Sequence, residues 1–114
     1  MATGRLGYAT GGLTTNAITN VYTVPTGYYS VFNISFTNTS ATVPAKIRIA
    51  LSTSATSGGI NSGEYIEYDT TIIPNGVFER TGLVANAGVY IWVYTPASTG
   101  LVNCTIYGIE TSTT

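Results

Sequence analysis

Glu64, Glu67 and Asp69 are the residues of this chain best placed for chemistry. Glu67 and Asp69 are two apart, so on an extended strand they share one face. A pair of carboxylates on one face is what glycoside hydrolysis uses, provided one of them is held protonated. Here no apolar pocket residues or substrate-orienting groups accompany them. A Ca²⁺ loop would need oxygen ligands at denser spacing. A solvated strand face, paired across strands with Lys46 and Arg48, accounts for the same residues. The sequence has no histidine, which removes the commonest general base, the commonest metal ligand and the usual partner of a Ser or Cys nucleophile. Cys104 is the single cysteine. It alternates with Val102 and Ile106, which reads as a small buried apolar residue. No catalytic, cofactor-binding or metal-ligating set is assigned, and the chain is read as a non-enzyme.

Two other groups stand out as contact residues rather than chemical ones. Tyr90, Trp92 and Tyr94 alternate with Val89, Ile91 and Val93, so this strand is apolar on both faces. One face belongs to the core. The other exposes an aromatic stripe unless something covers it. Three readings stand: intramolecular packing, a subunit interface of the kind aromatics favour, or a platform on which sugar rings stack. The second group is Arg5, Leu6 and Tyr8, in a Gly- and Thr-rich stretch with no sustained period. That stretch is either a loose tail or an arm that becomes ordered on a neighbouring subunit, with Leu6 and Tyr8 as anchors. Glu79 and Arg80 are chain neighbours and point to opposite strand faces. Arg80 is therefore expected to bond a loop carbonyl or a neighbour's carboxylate. Asn33, Asn38 and Asn103 begin glycosylation-type triplets, read as chance matches in a chain rich in Ser, Thr and Asn.

The elements that position these residues are short strands. Residues 21–24 form one, ended by Pro25-Thr26-Gly27. Residues 28–38 alternate, with Phe32, Ile34 and Phe36 on one face. Residues 45–53 alternate again, with Ala45, Ile47, Ile49 and Leu51 inward and Lys46, Arg48 and Ser52 outward; these two strands are expected to pair. Residues 54–63 read as a flexible, exposed loop. Residues 64–94 read as a meander of three strands: Pro74-Asn75-Gly76 turns the first into the second, with Gly82 a candidate bulge, and Asn86-Ala87-Gly88 turns the second into the third. After a loop at 96–100, residues 101–110 close the sheet with Val102, Cys104 and Ile106 inward. No segment has helical periodicity. The fold class is all-β: an antiparallel β-sandwich, jelly-roll-like, of about seven to eight short strands. The expected division is an N-terminal arm at 1–19, one sandwich domain at 20–110 and a tail at 111–114.

Composition narrows the function classes. With 114 residues and 44% hydrophobic content the chain can bury one core. Only 8% of residues are charged, against roughly 25% in ordinary soluble domains. A chain kept wet by hydroxyls and amides suits a surface largely covered by neighbours. Four cations, Arg5, Lys46, Arg48 and Arg80, cannot hold a run of phosphates, so nucleic acid is not an expected partner. No apolar stretch is long enough for a membrane helix. The start of the chain does not read as a secretory signal, so synthesis is expected in the cytoplasm.

Three segments together resemble a known group: YTVPTGYYSVFNISFTNTSATVPAKIRIALST, EYIEYDTTIIPNGVFERTGLVANAGVYIWVY and VNCTIYGIE. They are similar to a family of small β-sandwich virion proteins of tailed phages, notably cyanophages. The shared pattern comprises a Val-Pro turn, a cation-bearing strand, a Tyr-Ile-Glu-Tyr-Asp strand, an Asn-Gly-Val-x-Glu-Arg-Thr-Gly turn and a closing Tyr-Gly-Ile-Glu. The resemblance spans about residues 20–110, and its motifs are packing and turn motifs. It implies a repeated virion component, assembled in the host cytoplasm. That component is a capsid decoration (cement) protein, or else a neck, baseplate or tail-fibre subunit. Its partners would be other virion proteins and copies of itself, a trimer being favoured.

Overall fold

The computed structural model describes residues 3–9, 12–13, 16–96 and 102–113. The loop expected at 96–100 lies almost wholly outside them, as do Leu101 and Thr114. Eight strands follow in order: β1 Thr3–Tyr8, β2 Thr19–Thr23, β3 Tyr28–Asn38, β4 Ala45–Ser52, β5 Tyr65–Ile72, β6 Val77–Asn86, β7 Tyr90–Tyr94 and β8 Val102–Ser112. They form two four-stranded antiparallel sheets, ordered β1-β8-β3-β6 and β2-β7-β4-β5. Only β4 and β5 are neighbours both in sequence and in a sheet; every other connection changes sheet. This interleaving is the jelly-roll arrangement of an antiparallel β-sandwich.

The strands lie close to where alternation predicts them, but three expected pairings are absent. β3 and β4 do not pair, and residues 64–94 are no meander: β5, β6 and β7 alternate between the two sheets. The turn chemistry explains the second difference. Gly76 N–H donates to Ile73 O at 2.9 Å, with Pro74 second in the turn and Asn75 third at φ 58°. That is a type II turn. Tight hairpins favour the mirror-image turns, whose twist matches the strands. A Pro-led type II turn splays them, and here it carries the chain over the edge of the sandwich. Asn38, fully buried, fixes this corner. Its Nδ2 donates to Val43 O at 2.8 Å and Ile72 O at 3.2 Å, and its Oδ1 accepts from Ser40 N–H at 3.0 Å.

The core lies between the sheets. Phe32, Ile34, Phe36, Ile47, Ile49, Ile91, Val93, Val102 and Ile106 are all fully buried there. Each such side chain contributes about 1.5–3 kcal/mol on leaving water. Cys104 is buried among them, as expected, and its thiol pKa is pushed up to about 12 by that burial. The described residues among the first 19 depart from the sequence reading. Thr3–Tyr8 is no free arm: it adds to the first sheet alongside β8. Leu6 packs against the core, Leu13 is buried, and Ala9 and Leu13 N–H donate to Cys104 O and Val102 O at 3.0 and 2.7 Å. Docking on β8 satisfies backbone groups that a loose segment would leave to water.

Bulges or register shifts adjust the alternation in four strand pairs, among them β3–β6 and β4–β5. Asn33 on β3 faces two residues of β6, because Phe32 pairs with Leu83 and Ile34 with Arg80. Gly82 sits in this bulge at φ 70°, and its N–H donates to Asn33 Oδ1 at 3.0 Å. The bulge in β4–β5 sets Arg48 of β4 against both Tyr68 and Asp69 of β5, with Asp69 at φ 57°.

Candidate functional site: the two outer faces of the sandwich

The aromatic stripe of β7 lies on the outer face of the second sheet, and the protein covers it with its own residues. Trp92 is only 7% exposed. Its ring stacks on Tyr90 with centroids 6.1 Å apart, and its Nε1–H donates to Ser54 O at 3.2 Å. Ser54 begins the segment expected to be a flexible tip. It instead folds into two short 3-10 turns, Ser57–Gly59 and Ser62–Glu64, closed by Ser54 Oγ–H to Thr56 O at 2.7 Å and by Asn61 N–H to Glu64 Oε1 at 2.9 Å. Ala50 and Ser52 on β4, opposite Trp92 and Tyr90, are buried too. Ser52 thus lies on the outward side expected of it, but is buried there.

At the other end of the stripe, Arg48 is held between two rings. Its guanidinium lies 4.0 Å from the Tyr68 centroid and 4.7 Å from that of Tyr94. Two nitrogens of the same fork donate to Asp69, at 2.7 and 3.2 Å. This bidentate geometry holds the Asp69 carboxyl below its ordinary pKa and raises that of Arg48. The bulge makes the arrangement possible, since it turns consecutive residues, Tyr68 and Asp69, toward one partner. Glu67 does not join them. It pairs with Arg80 of β6, which also donates to Ile66 O at 3.1 Å, and so ties the edges of the two sheets together. The three carboxylates singled out for chemistry are thus a turn cap, an edge clamp and a partner of Arg48.

The outer face of the first sheet is built differently. Register places Thr3, Ile109, Val31 and Val84 side by side across β1, β8, β3 and β6. Val84 is 64% exposed, Ile109 46% and Val31 37%. Tyr29, two residues along β3, is also exposed. Around this apolar row lie Asn33, Ser35, Thr37, Thr105 and Tyr107. The charges of the face stand on its two edge strands. Arg5 on β1 lies over the Tyr8 ring at 3.9 Å. Glu79 on β6 accepts from Tyr107 Oη–H, which raises the Tyr107 pKa.

The six residues expected at an interface therefore do not form one surface. Arg5 and Tyr8 belong to the outer face of the first sheet, Leu6 to the core, and Tyr90, Trp92 and Tyr94 to the covered face of the second. Sequence reasoning missed the apolar row because Val31, Ile109 and Val84 are far apart in the chain. It also passed over Glu110, although the inward parity of Val102, Cys104 and Ile106 extends to it. Glu110 is buried and accepts from Tyr22 Oη–H at 2.6 Å across the two sheets. Burial first, and then this bond, push the Tyr22 pKa up to about 12.

Among the described residues no three His, Cys, Asp or Glu side chains gather as a metal site would require, and no helix is long and apolar enough to cross a membrane. No protein-family model matches the chain, and no curated protein or solved structure matches it.

Proposed function

We propose that this chain is a structural protein of a tailed-phage virion, acting as a capsid decoration (cement) protein that binds the capsid surface as an oligomer. The reading joins the resemblance over residues 20–110 to one observation, the uncovered apolar face of the β1-β8-β3-β6 sheet. A molecule with 8% charged residues and an aliphatic row across three strands of an exposed sheet face is suited to contact with neighbouring subunits. Jelly rolls serve in capsid and lectin domains alike, so the fold alone assigns neither role. The mechanism is the summed contact of many weakly bound copies on a repeating lattice, where each added attachment raises overall avidity without new chemistry.

A tail, neck or baseplate component is the alternative within virions. The carbohydrate reading relied on Tyr90, Trp92 and Tyr94 as an open stacking platform, and the 7% exposure of Trp92 leaves it no central ring. Imaging of whole particles with this protein located tests the proposal. Density repeating with the capsid lattice is expected; density confined to the tail would replace the decoration role with the tail role. Absence from purified particles would overturn both.

A further inference from the structure

We propose that the outer face of the β1-β8-β3-β6 sheet pairs with the same face of a second copy, forming a two-fold dimer whose axis runs along the strands between β8 and β3. This rests on the oligomeric part of the functional reading alone and needs no virion.

The face is self-complementary under that operation. In an isologous contact each residue meets its counterpart's partner. An axis parallel to the strands exchanges β8 with β3 and β1 with β6. The apolar row then maps onto itself: Ile109 meets Val31 of the other copy, and Val84 meets the Thr3 methyl. The charges select this axis. Arg5 and Glu79 stand on opposite edge strands, β1 and β6. Exchange of the edges brings Arg5 of each copy over the strand that carries Glu79 of the other. Their registers differ by one row: Arg5 is level with Tyr107 and Asn33, and Glu79 with Ser35 and Thr105. That offset is about 7 Å along the strand, within reach of an arginine side chain. The other in-plane axis, perpendicular to the strands, would lay β1 over β1 and set like charges on the same edge.

The size suits a stable pair. Strands of 6, 11, 11 and 10 residues, spaced about 4.8 Å apart and rising about 3.4 Å per residue, cover about 620 Å² per copy. That lies at the lower end of the roughly 600–1,000 Å² per partner of a standard interface. Two twisted sheets stacked face to face at about 30° form the common aligned geometry of β-sandwich packing. Trimeric assembly, favoured by the resemblance, would need a different surface on each side of the contact.

Sedimentation equilibrium of the purified chain over a concentration series tests the pairing. Wild type is expected to be dimeric. Val31→Asp, an exposed position whose change leaves the core intact, should weaken association at least about 100-fold, since a carboxylate would face Ile109 in the dimer. Arg5→Glu and Glu79→Arg should each weaken it about tenfold, and the double variant Arg5→Glu/Glu79→Arg should recover the loss. Circular dichroism melts of each variant confirm that it is folded. A wild-type monomer at high concentration, a trimer, a dimer indifferent to Val31→Asp, or failure of the double variant to recover would each overturn the proposal.

Discussion

The two outer faces of this sandwich solve the same problem in opposite ways. Each has apolar side chains pointing away from the core. On the second sheet, Trp92 is buried with its Nε1–H bonded to Ser54 O and its ring stacked on Tyr90, and Tyr94 leans on Arg48, which Tyr68 caps and Asp69 anchors. On the first sheet none of the described residues covers Val31, Val84 and Ile109 in this way, and they stand among hydroxyls and amides. The richer residue types therefore mark the finished face, and the plainer aliphatic ones the open face. Large aromatics in a small domain are as readily used to seal it as to bind a partner, because their area and polar tips suit both. Which use applies depends on what the loops can reach, and here Ser54 reaches Trp92.

Substitutions on the two faces should therefore separate stability from association. The largest loss is expected for Trp92→Ala, about 3–5 kcal/mol in a urea melt, the usual range for truncating a buried large aromatic, with self-association of the folded fraction unchanged. Next is a control between the sheets. Tyr22 has a pKa raised to about 12, against an ordinary value of 10.0. Its contribution is complete below pH 10 and is lost as the pH climbs from about 10 to 12, because the unfolded phenol ionises first. Tyr22→Phe should flatten that part of the alkaline stability curve.

Arg48→Ala should lose about 0.5–1 kcal/mol for each ring it leaves. The pairing with Asp69 has its own pH signature. A depressed carboxyl stabilises above the unfolded carboxylate range and loses that effect as the pH falls below it. Asp69→Asn should consequently be less stable than wild type at neutral pH and equal to it in acid. The smallest stability change, within about 0.5 kcal/mol, is expected for Val84→Thr on the open face, together with weaker association. A large stability loss there would mean that Val84 is already packed within one copy, and the contrast between the faces would collapse.

The fold was legible in the sequence at the level of strands and lost at the level of pairing. Alternation identified the inward residues of β3, β4 and β8 almost without error, and the Pro74-Asn75-Gly76 turn is where it was expected. Which sheet each strand joins was not read, because strand-to-strand turns look alike until their hand is considered. Pro74 in fact carries that information, since a type II turn does not suit a tight hairpin. Glu110 could also have been placed by parity alone. The Arg48 cluster could not, because a bulge at Asp69 puts consecutive residues on one partner, against the period of two. The N-terminal strand has too many glycines for alternation to show, and β8 supplies the order that its own composition lacks. The candidate interface was half legible. Arg5 and Tyr8 do lie on the open face, but the aliphatic row beside them comes from three distant strands and exists only in the assembled sheet.

One measurement separates the faces most directly: the solution mass, by sedimentation equilibrium, of two single-face variants at the concentration where wild type is dimeric. Val31→Asp alters the open face and Tyr90→Ser the covered one. The account predicts a folded monomer for Val31→Asp and an intact dimer for Tyr90→Ser. A dimer that survives Val31→Asp and is lost in folded Tyr90→Ser would contradict it and return the partner surface to the aromatic stripe.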